Sequence, residues 1–391
     1  MSNWEIMPLN KAHGYLLLVL VCSSCVEPFE PDLDENQNVM VISGMITDRP
    51  GRHTISVSRS APYQKPEYQP VEFCLVQVYR QDGNFIEYSD EGDGIYAADI
   101  PGSFLEPGDL VSLHVVTPDA REYRSDFDTL LTCPDLDRVY YELGYMETSD
   151  PEKSLPGVQF YLDMSGEPTD SRNILWQVEE TWEYWASLFA NRRWWSDGTM
   201  DDYQSHPLFK CWKHYPLPRF YTATTRNLSS NEIRRLSLNF VSNETDRLSV
   251  TYSILVKQQS LTNQAYNYFV RLHEQAVETG GLYDVQPLSV PGNIYSVDHA
   301  EETVLGFFHA TQLKEEQIFV HNNNFFEFAI PHISCEYEPM SVIWEWPRID
   351  WPVYIFAPGP FQPVWTALPE CFNCLLQGGD TIRPVNWESW P

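Results

Sequence analysis

Short apolar runs that alternate with period two, cut at intervals by Gly, Pro, Asp and Asn, set the narrowest limit on what this chain can fold into. His53-Thr-Ile-Ser-Val-Ser58 alternates in this way, and so does Val76-Gln-Val-Tyr79, which leads into the turn Asp82-Gly83-Asn84. Leu110-Val-Ser-Leu-His-Val-Val116 follows Glu106-Pro-Gly-Asp109 and precedes the turn Thr117-Pro118-Asp119. Successive side chains of a strand point to opposite faces, so each run buries one face and needs a second layer to cover it. Short strands at near-regular spacing, joined by turn chemistry, predict a β-sandwich over residues 38–133.

Gly94-Ile-Tyr96, Pro107-Gly-Asp109 and Val111-Ser-Leu-His-Val115 give this part an immunoglobulin-like or transthyretin-like pattern, a kind of module that brings no catalytic residues with it. Thr132-Cys-Pro-Asp135 marks the boundary to a larger β-rich domain, residues 134–340. Its strands begin with Arg138–Leu143, Gly157–Asp163 and Ile174–Val178, and 391 residues leave room for two to three domains. Alternating aromatics on a strand are core, which places Trp176, Trp182 and Tyr184 inside. Trp194 and Trp195 stand between Asn191-Arg-Arg193 and Ser196-Asp-Gly198, so they are expected in a loop, as a contact surface for a partner. Ser229-Ser-Asn-Glu232 matches a capping box and predicts a short helix to about Arg235. Arg247 to Val256 reads as a strand. A helix near 261–279 is predicted from Ala265, Phe269, Leu272 and Ala276 on one face, with Ser260 as its cap and Gly280-Gly281 ending it. The fold class expected is therefore mainly β, a sandwich followed by a larger β-rich domain with one or two helices. Residues 341–391 form a Pro- and Trp-rich tail, including Trp344, Trp346 and Trp351, that cannot be a central strand.

The N-terminal stretch says where such a chain would work. Leu16-Leu-Leu-Val-Leu-Val-Cys-Ser-Ser-Cys25 is too short to span a bilayer, follows Lys11, and ends in small residues before Cys25. It resembles a bacterial lipoprotein signal, residues 1–24, with Cys25 acylated as the new N-terminus; Val21 is too bulky to precede the cut at Cys22. Residues 25–37 form an acidic, proline-containing tether, and its acids close behind Cys25 resemble the signal that sends Bacteroidota lipoproteins to the outer face of the outer membrane. The formal charge is −30, from 55 acids against 25 bases. That field repels phosphate backbones and argues against nucleic-acid partners.

Several pieces together resemble a Bacteroidota lipoprotein family known only as domain of unknown function 4249. They are Val41-Ile-Ser-Gly44, Glu179-Glu-Thr-Trp-Glu183, Val256-Lys-Gln-Gln-Ser260, Gly280-Gly-Leu-Tyr-Asp-Val-Gln-Pro287, Gly292-Asn-Ile294, Val304-Leu-Gly-Phe-Phe308 and Cys371-Phe-Asn-Cys-Leu-Leu-Gln-Gly-Gly379. The resemblance runs from about residue 25 to the end. It implies a surface lipoprotein encoded near a TonB-dependent outer-membrane receptor, and it carries no catalytic residues to transfer.

Candidate chemistry is sparse. After Cys25 six cysteines remain, and an exported chain is exposed to oxidising conditions. Cys74 reads as a small buried residue. The pair Cys371 and Cys374 fits a structural disulfide, within the pair or from it to Cys335 or Cys211, and the spacing does not choose. A redox site would need a helix start in a βαβ unit, and zinc would need Cys211 and Cys335 as further ligands. Asp197-Gly-Thr-Met-Asp201-Asp202 lacks the periodicity of a calcium loop and reads as an acidic turn. His273-Glu274 would need a second histidine where Val277 stands. No phosphate loop, nucleophile elbow or dinucleotide fingerprint is present, so no catalytic residue, cofactor or metal is expected. The function expected is a non-enzymatic outer-membrane surface lipoprotein, accessory to a TonB-dependent transporter. The alternatives are a surface glycan or peptide hydrolase and a structural envelope or adhesion protein.

Overall fold

A computed structural model describes residues 39–61, 67–150, 152–202, 206–278 and 290–324, and shorter runs at 335–336, 338–339, 347, 352–356, 365–385 and 387. The signal, Cys25, the tether, Gly280-Gly281 and Trp344, Trp346 and Trp351 lie outside the described residues. The protein is mainly β.

The first module is a twelve-stranded sheet folded over on itself. One layer holds Ile95–Ile100, Gly51–Arg59 and Met40–Thr47; the other holds Phe85–Asp90, Leu75–Arg80, Leu110–Val116 and Glu122–Ser125. The layers are joined at one corner, where Ser89 and Asp90 pair with Ala97 and Tyr96. Their inner faces share one core, which includes Met40, Ile42, Ile55, Val57, Val76, Val78, Tyr96, Leu113 and Tyr123. Cys74 is buried here with a free thiol.

This module does not close at Cys133. Ile294–Ser296 pairs with Glu122–Ser125 at one edge, and Val304–Leu305 and Phe308–Thr311 run parallel to Met40–Thr47 at the other. A bridge between Pro291 and Leu305 brings the two edges together, so the layers approach a closed barrel. The expected boundary at 133 therefore assigns these late strands to the wrong side. The reason is physical: strand edges at residues 40–47 and 122–125 would be left open without them. Glycine makes the closure possible. A Cβ on Gly292 would lie 1.6 Å from the Gly306 carbonyl oxygen, and one on Gly306, at φ +95°, 1.9 Å from the Ile42 oxygen. Asn293 completes the seam, donating to the Phe308 carbonyl at 2.7 Å and accepting the Phe308 N–H at 3.0 Å.

The second module packs two sheets face to face. Asp135–Glu147, Ser154–Gly166 and Asn231–Ser242 make one. Lys210–Pro216, Asn173–Trp185, Thr251–Ser260 and Leu313–His321 make the other. Phe160, Leu162, Trp176, Val178, Trp182, Tyr184, Tyr252 and Ile254 fill the space between them. The capping-box segment is strand, not helix: Asn231–Ser242 is extended, because Ile233, Leu236, Leu238 and Val241 are needed against this core. Two register shifts and a positive φ at Arg235 absorb the irregular spacing of those residues. The predicted strand from Arg247 begins later, at Thr251, after a 3₁₀ turn Asp246–Leu248.

The helix spans Asn263–Glu278 and is capped by Thr262, whose hydroxyl accepts the Ala265 N–H at 3.3 Å; Ser260 belongs to the preceding strand. Tyr268 stacks on Phe307 at 4.6 Å and Phe269 meets His309 at 5.3 Å, so the helix covers the joint between the modules. One continuous stretch crosses that joint: Phe308–Thr311 belongs to the first module and Leu313–His321 to the second.

Candidate functional site

The central strand of the second module, Asn173–Trp185, carries most of the unusual chemistry. Its alternation sends Ile174, Trp176, Val178, Glu180, Trp182 and Tyr184 into the core. The outer face takes Gln177, Glu179, Thr181, Glu183 and Trp185. Glu180 is thus a carboxylate in an aromatic core, 0% exposed. Its Oε1 accepts from the Tyr252 hydroxyl at 2.7 Å and from Asn239 Nδ2 at 2.7 Å. Its Oε2 has no hydrogen-bond partner among the described residues but lies 3.6 Å from Arg247 Nη1. A buried charge left without a counter-charge is very costly, so this pairing is what lets the carboxylate stay inside.

Cations stand on ring faces around it. Arg247 lies 5.5 Å from the Trp182 ring centre, and Lys213 lies 4.4 Å from that of Tyr184. Lys213 also bonds Asp246 at 2.9 Å. Burial pushes the Tyr252 phenol far above its ordinary value and the Tyr184 phenol up to about 12, so both stay neutral donors at physiological pH. Glu180 has no line of approach for a substrate. Glu183 lies on the opposite face, where it accepts from Trp185 Nε1 at 2.6 Å and Trp387 Nε1 at 3.1 Å. The two buried carboxylates of this motif therefore cannot flank one bond, as a pair for sugar hydrolysis must. What the constellation can do is hold three strands and the 3₁₀ turn in register.

Cys374 is disulfide-bonded to Cys211 and Cys371 to Cys335, so the Cys-x-x-Cys pair reaches out to two separate partners rather than closing on itself. The thiols weighed as zinc ligands are each other's disulfide partners. Among the described residues no group of three or more His, Cys, Asp or Glu is placed to hold a metal ion. The tail is strapped across the second module by these bonds and by the Trp212 bridge to Asp380.

Trp194 and Trp195 are not together in a loop. Trp194 ends the short strand Arg192–Trp194, between Met200 and Val353, and Trp195 opens the turn that follows. Both are half-buried. The Trp195 indole donates to Asp201 at 2.9 Å and lies under Arg193 at 4.2 Å. The acidic turn binds itself: Asp197 accepts from Thr199, Asp201 pairs with Arg193 and Asp202 with Arg192. His273 meets the edge of Phe220. On the first module a shallow depression of ≈ 290 Å³ is lined by Arg80, Gln81, Asp82, Gly108, Asp109 and Leu110, and its one cation is already paired with Asp82 and Asp109.

These features have a common place. Strand Met40–Thr47 starts where the described chain begins and ends at the joint, where Thr47 pairs with Thr311. Strand Asn173–Trp185 starts at the joint, where Ile174 faces Ser260, and runs away from it. The Glu180 cluster, the Arg192–Asp202 hairpin and both disulfides thus lie beyond the joint, away from the side where the N-terminal segment attaches.

Sequence reasoning missed Glu180 and the glutamines of Val256-Lys-Gln-Gln-Ser260. Gln258 accepts from the Trp176 indole at 2.8 Å and donates to the Pro134 carbonyl at 2.7 Å. Gln259 donates to Gln177 at 2.9 Å and lies 3.2 Å from His309 Nε2. For Glu180 and Gln258 the signal was available: each is a polar residue at a core-facing position of an otherwise apolar alternation. A family profile described as a domain of unknown function, DUF4249, matches residues 26–317. No curated protein matches the chain.

Proposed function

Starting from the fact that the chain belongs to the DUF4249 family, we propose that it is a lipid-anchored binding protein of the cell exterior. It is acylated at Cys25, held on the outer membrane by the tether of residues 25–37, and accessory to a TonB-dependent receptor. The observation that carries this reading is the polarity of the fold. The N-terminal segment joins the first module at the end opposite the second module, so an anchor there holds the disulfide-strapped module outward. The acidic surface and the strapped tail suit a protein exposed to solvent and oxidant.

Labelled palmitate tests the anchor: incorporation into the wild-type chain and its loss in Cys25→Ala are expected. Protease added to intact cells should then cut the wild-type protein, and recovery from solubilised membranes should bring an outer-membrane barrel with it. Unchanged labelling in Cys25→Ala, or a chain that leaves the cells without any membrane partner, would overturn the reading.

A further inference from the structure

Phe73 carries two costs that the packing of the first module does not return. Its side chain is 79% exposed. Its backbone holds φ 60°, the left-handed region that an aromatic residue rarely takes. The conformation is fixed by its surroundings. The Phe73 N–H donates to Asp90 Oδ2 at 2.6 Å, and the Cys74 N–H donates to the Tyr96 hydroxyl at 2.9 Å. The other Asp90 oxygen accepts the Gly92 N–H at 2.8 Å. Glycine would relax at this φ and expose no ring. A strained residue held this firmly is a pointer to use.

Its position says what kind of use. Met40 pairs with Arg59, Ser58 pairs with Pro70, and the Val57 N–H donates to the Gly94 carbonyl, so residues 68–75 and 90–95 crowd the end of the first module where the N-terminal segment attaches. Tyr68 and Leu75 are exposed as well, and Tyr68 and Glu72 are linked through Asp93. The chain from Cys25 to Val39 can reach no more than about 50 Å, so this end stays near the membrane. Glu67, Glu72, Asp90, Glu91 and Asp93 stand in the same stretches of sequence, five acids against three bases: Arg52, which pairs with Glu91, Arg59 and Lys65. An apolar knob ringed by carboxylates suits a pocket ringed by cations. It does not suit an anionic lipid surface, nor a second copy of a chain with a charge of −30.

We propose that Phe73 is the central side chain of a docking surface for a protein embedded in the anchoring membrane, seated in an apolar pocket rimmed by lysine or arginine. The proposal rests on the anchored reading above and names the chemistry of its partner.

The test uses the full-length chain in its own cells, with a photo-crosslinking side chain at position 68 and either Phe or Gly at position 73. The expected result is one crosslinked integral membrane protein, with the linked peptide mapped beside basic residues. Added salt should lower the yield, and Phe73→Gly should lower it by about tenfold or more. The melting temperature of Phe73→Gly should be no lower than that of wild type, which separates lost docking from lost folding. Adducts to lipid alone, adducts to a second copy, no protein adduct, or a yield indifferent to Phe73→Gly would each overturn the proposal. Palmitate labelling read on the same cells separates the two ideas: an acylated chain without the crosslink sinks this inference alone, and the crosslink without acylation sinks the anchor alone.

Discussion

The Gln312 side-chain oxygen accepts the backbone N–H of Cys133 at 2.8 Å, and its amide donates to Asp48 at 3.0 Å. The Gln312 N–H itself donates to the Ser260 hydroxyl at 3.1 Å, and that hydroxyl donates to the Leu131 carbonyl at 2.6 Å. One residue between two strands thus collects the end of the first module, the start of the second and the end of strand Thr251–Ser260. The modules share a strand path and a polar joint, so they are expected to unfold together.

Gln312→Ala removes both side-chain bonds and leaves the N–H of the buried Cys133 without its acceptor. Losing such a bond costs about 1–3 kcal/mol. A lower denaturant midpoint is expected, with the transition still single. An unchanged midpoint would mean that the joint contributes nothing to stability.

The seam glycines make a sharper case. Gly306→Ala would put a methyl group into the Ile42 backbone at a φ that L-residues avoid, and Gly292→Ala would drive one into Gly306. Neither obstacle is a flexible side chain, so loss of soluble protein or a drop in melting temperature of several degrees is expected for both. Gly144→Ala is the control, because nothing lies within 4 Å of its Cβ position. Equal behaviour of all three variants would refute the close approach.

Acid sensitivity follows from His309. It is buried at the joint, and burial pulls it down from 6.5 to about 4. The native state therefore holds it neutral while the unfolded chain takes up a proton first. Its contribution is complete above about pH 6.5 and is lost as pH falls toward 4. His206 is drawn down to about 4 by burial first and Arg193 second, so two histidines act in one window. His309→Asn should lower the slope of stability against pH between 6.5 and 4. Chemical denaturation at several pH values measures it, and a slope equal to that of wild type would refute it.

How far the sequence was legible depends on how local the cause was. Trp176, Trp182 and Tyr184 were readable as core because alternation is a local property, and all three are buried. Ser229-Ser-Asn-Glu232 misled because a capping box is also local, whereas the demand for Ile233 and Leu236 on a strand comes from Ser154–Gly166, far away in the chain. The module boundary failed for the same reason: Val304 and Phe308 pair with residues more than 250 positions earlier. Glu180 could have been flagged as a charge on an apolar face, but its partner Arg247 could not, since nothing nearby in the chain joins them.

Six cysteines allow many pairings and the sequence does not choose among them, whereas the folded arrangement implies an ordering of the two bonds. Cys211–Cys374 closes a span of 163 residues and Cys335–Cys371 one of 36. Removing a native disulfide typically costs about 2–5 kcal/mol, and more for the longer loop in a chain-entropy account. The longer link also pins Cys374 beneath Tyr184, inside the core of the second module. The double variant Cys211→Ser/Cys374→Ser should therefore lose more stability than Cys335→Ser/Cys371→Ser, read by thermal unfolding without reductant. Added reductant should lower the wild-type melting temperature toward that of the combined variant. The reverse order would mean that the strap matters through its contacts at Ala190, Tyr354 and Phe372 rather than through the span it closes.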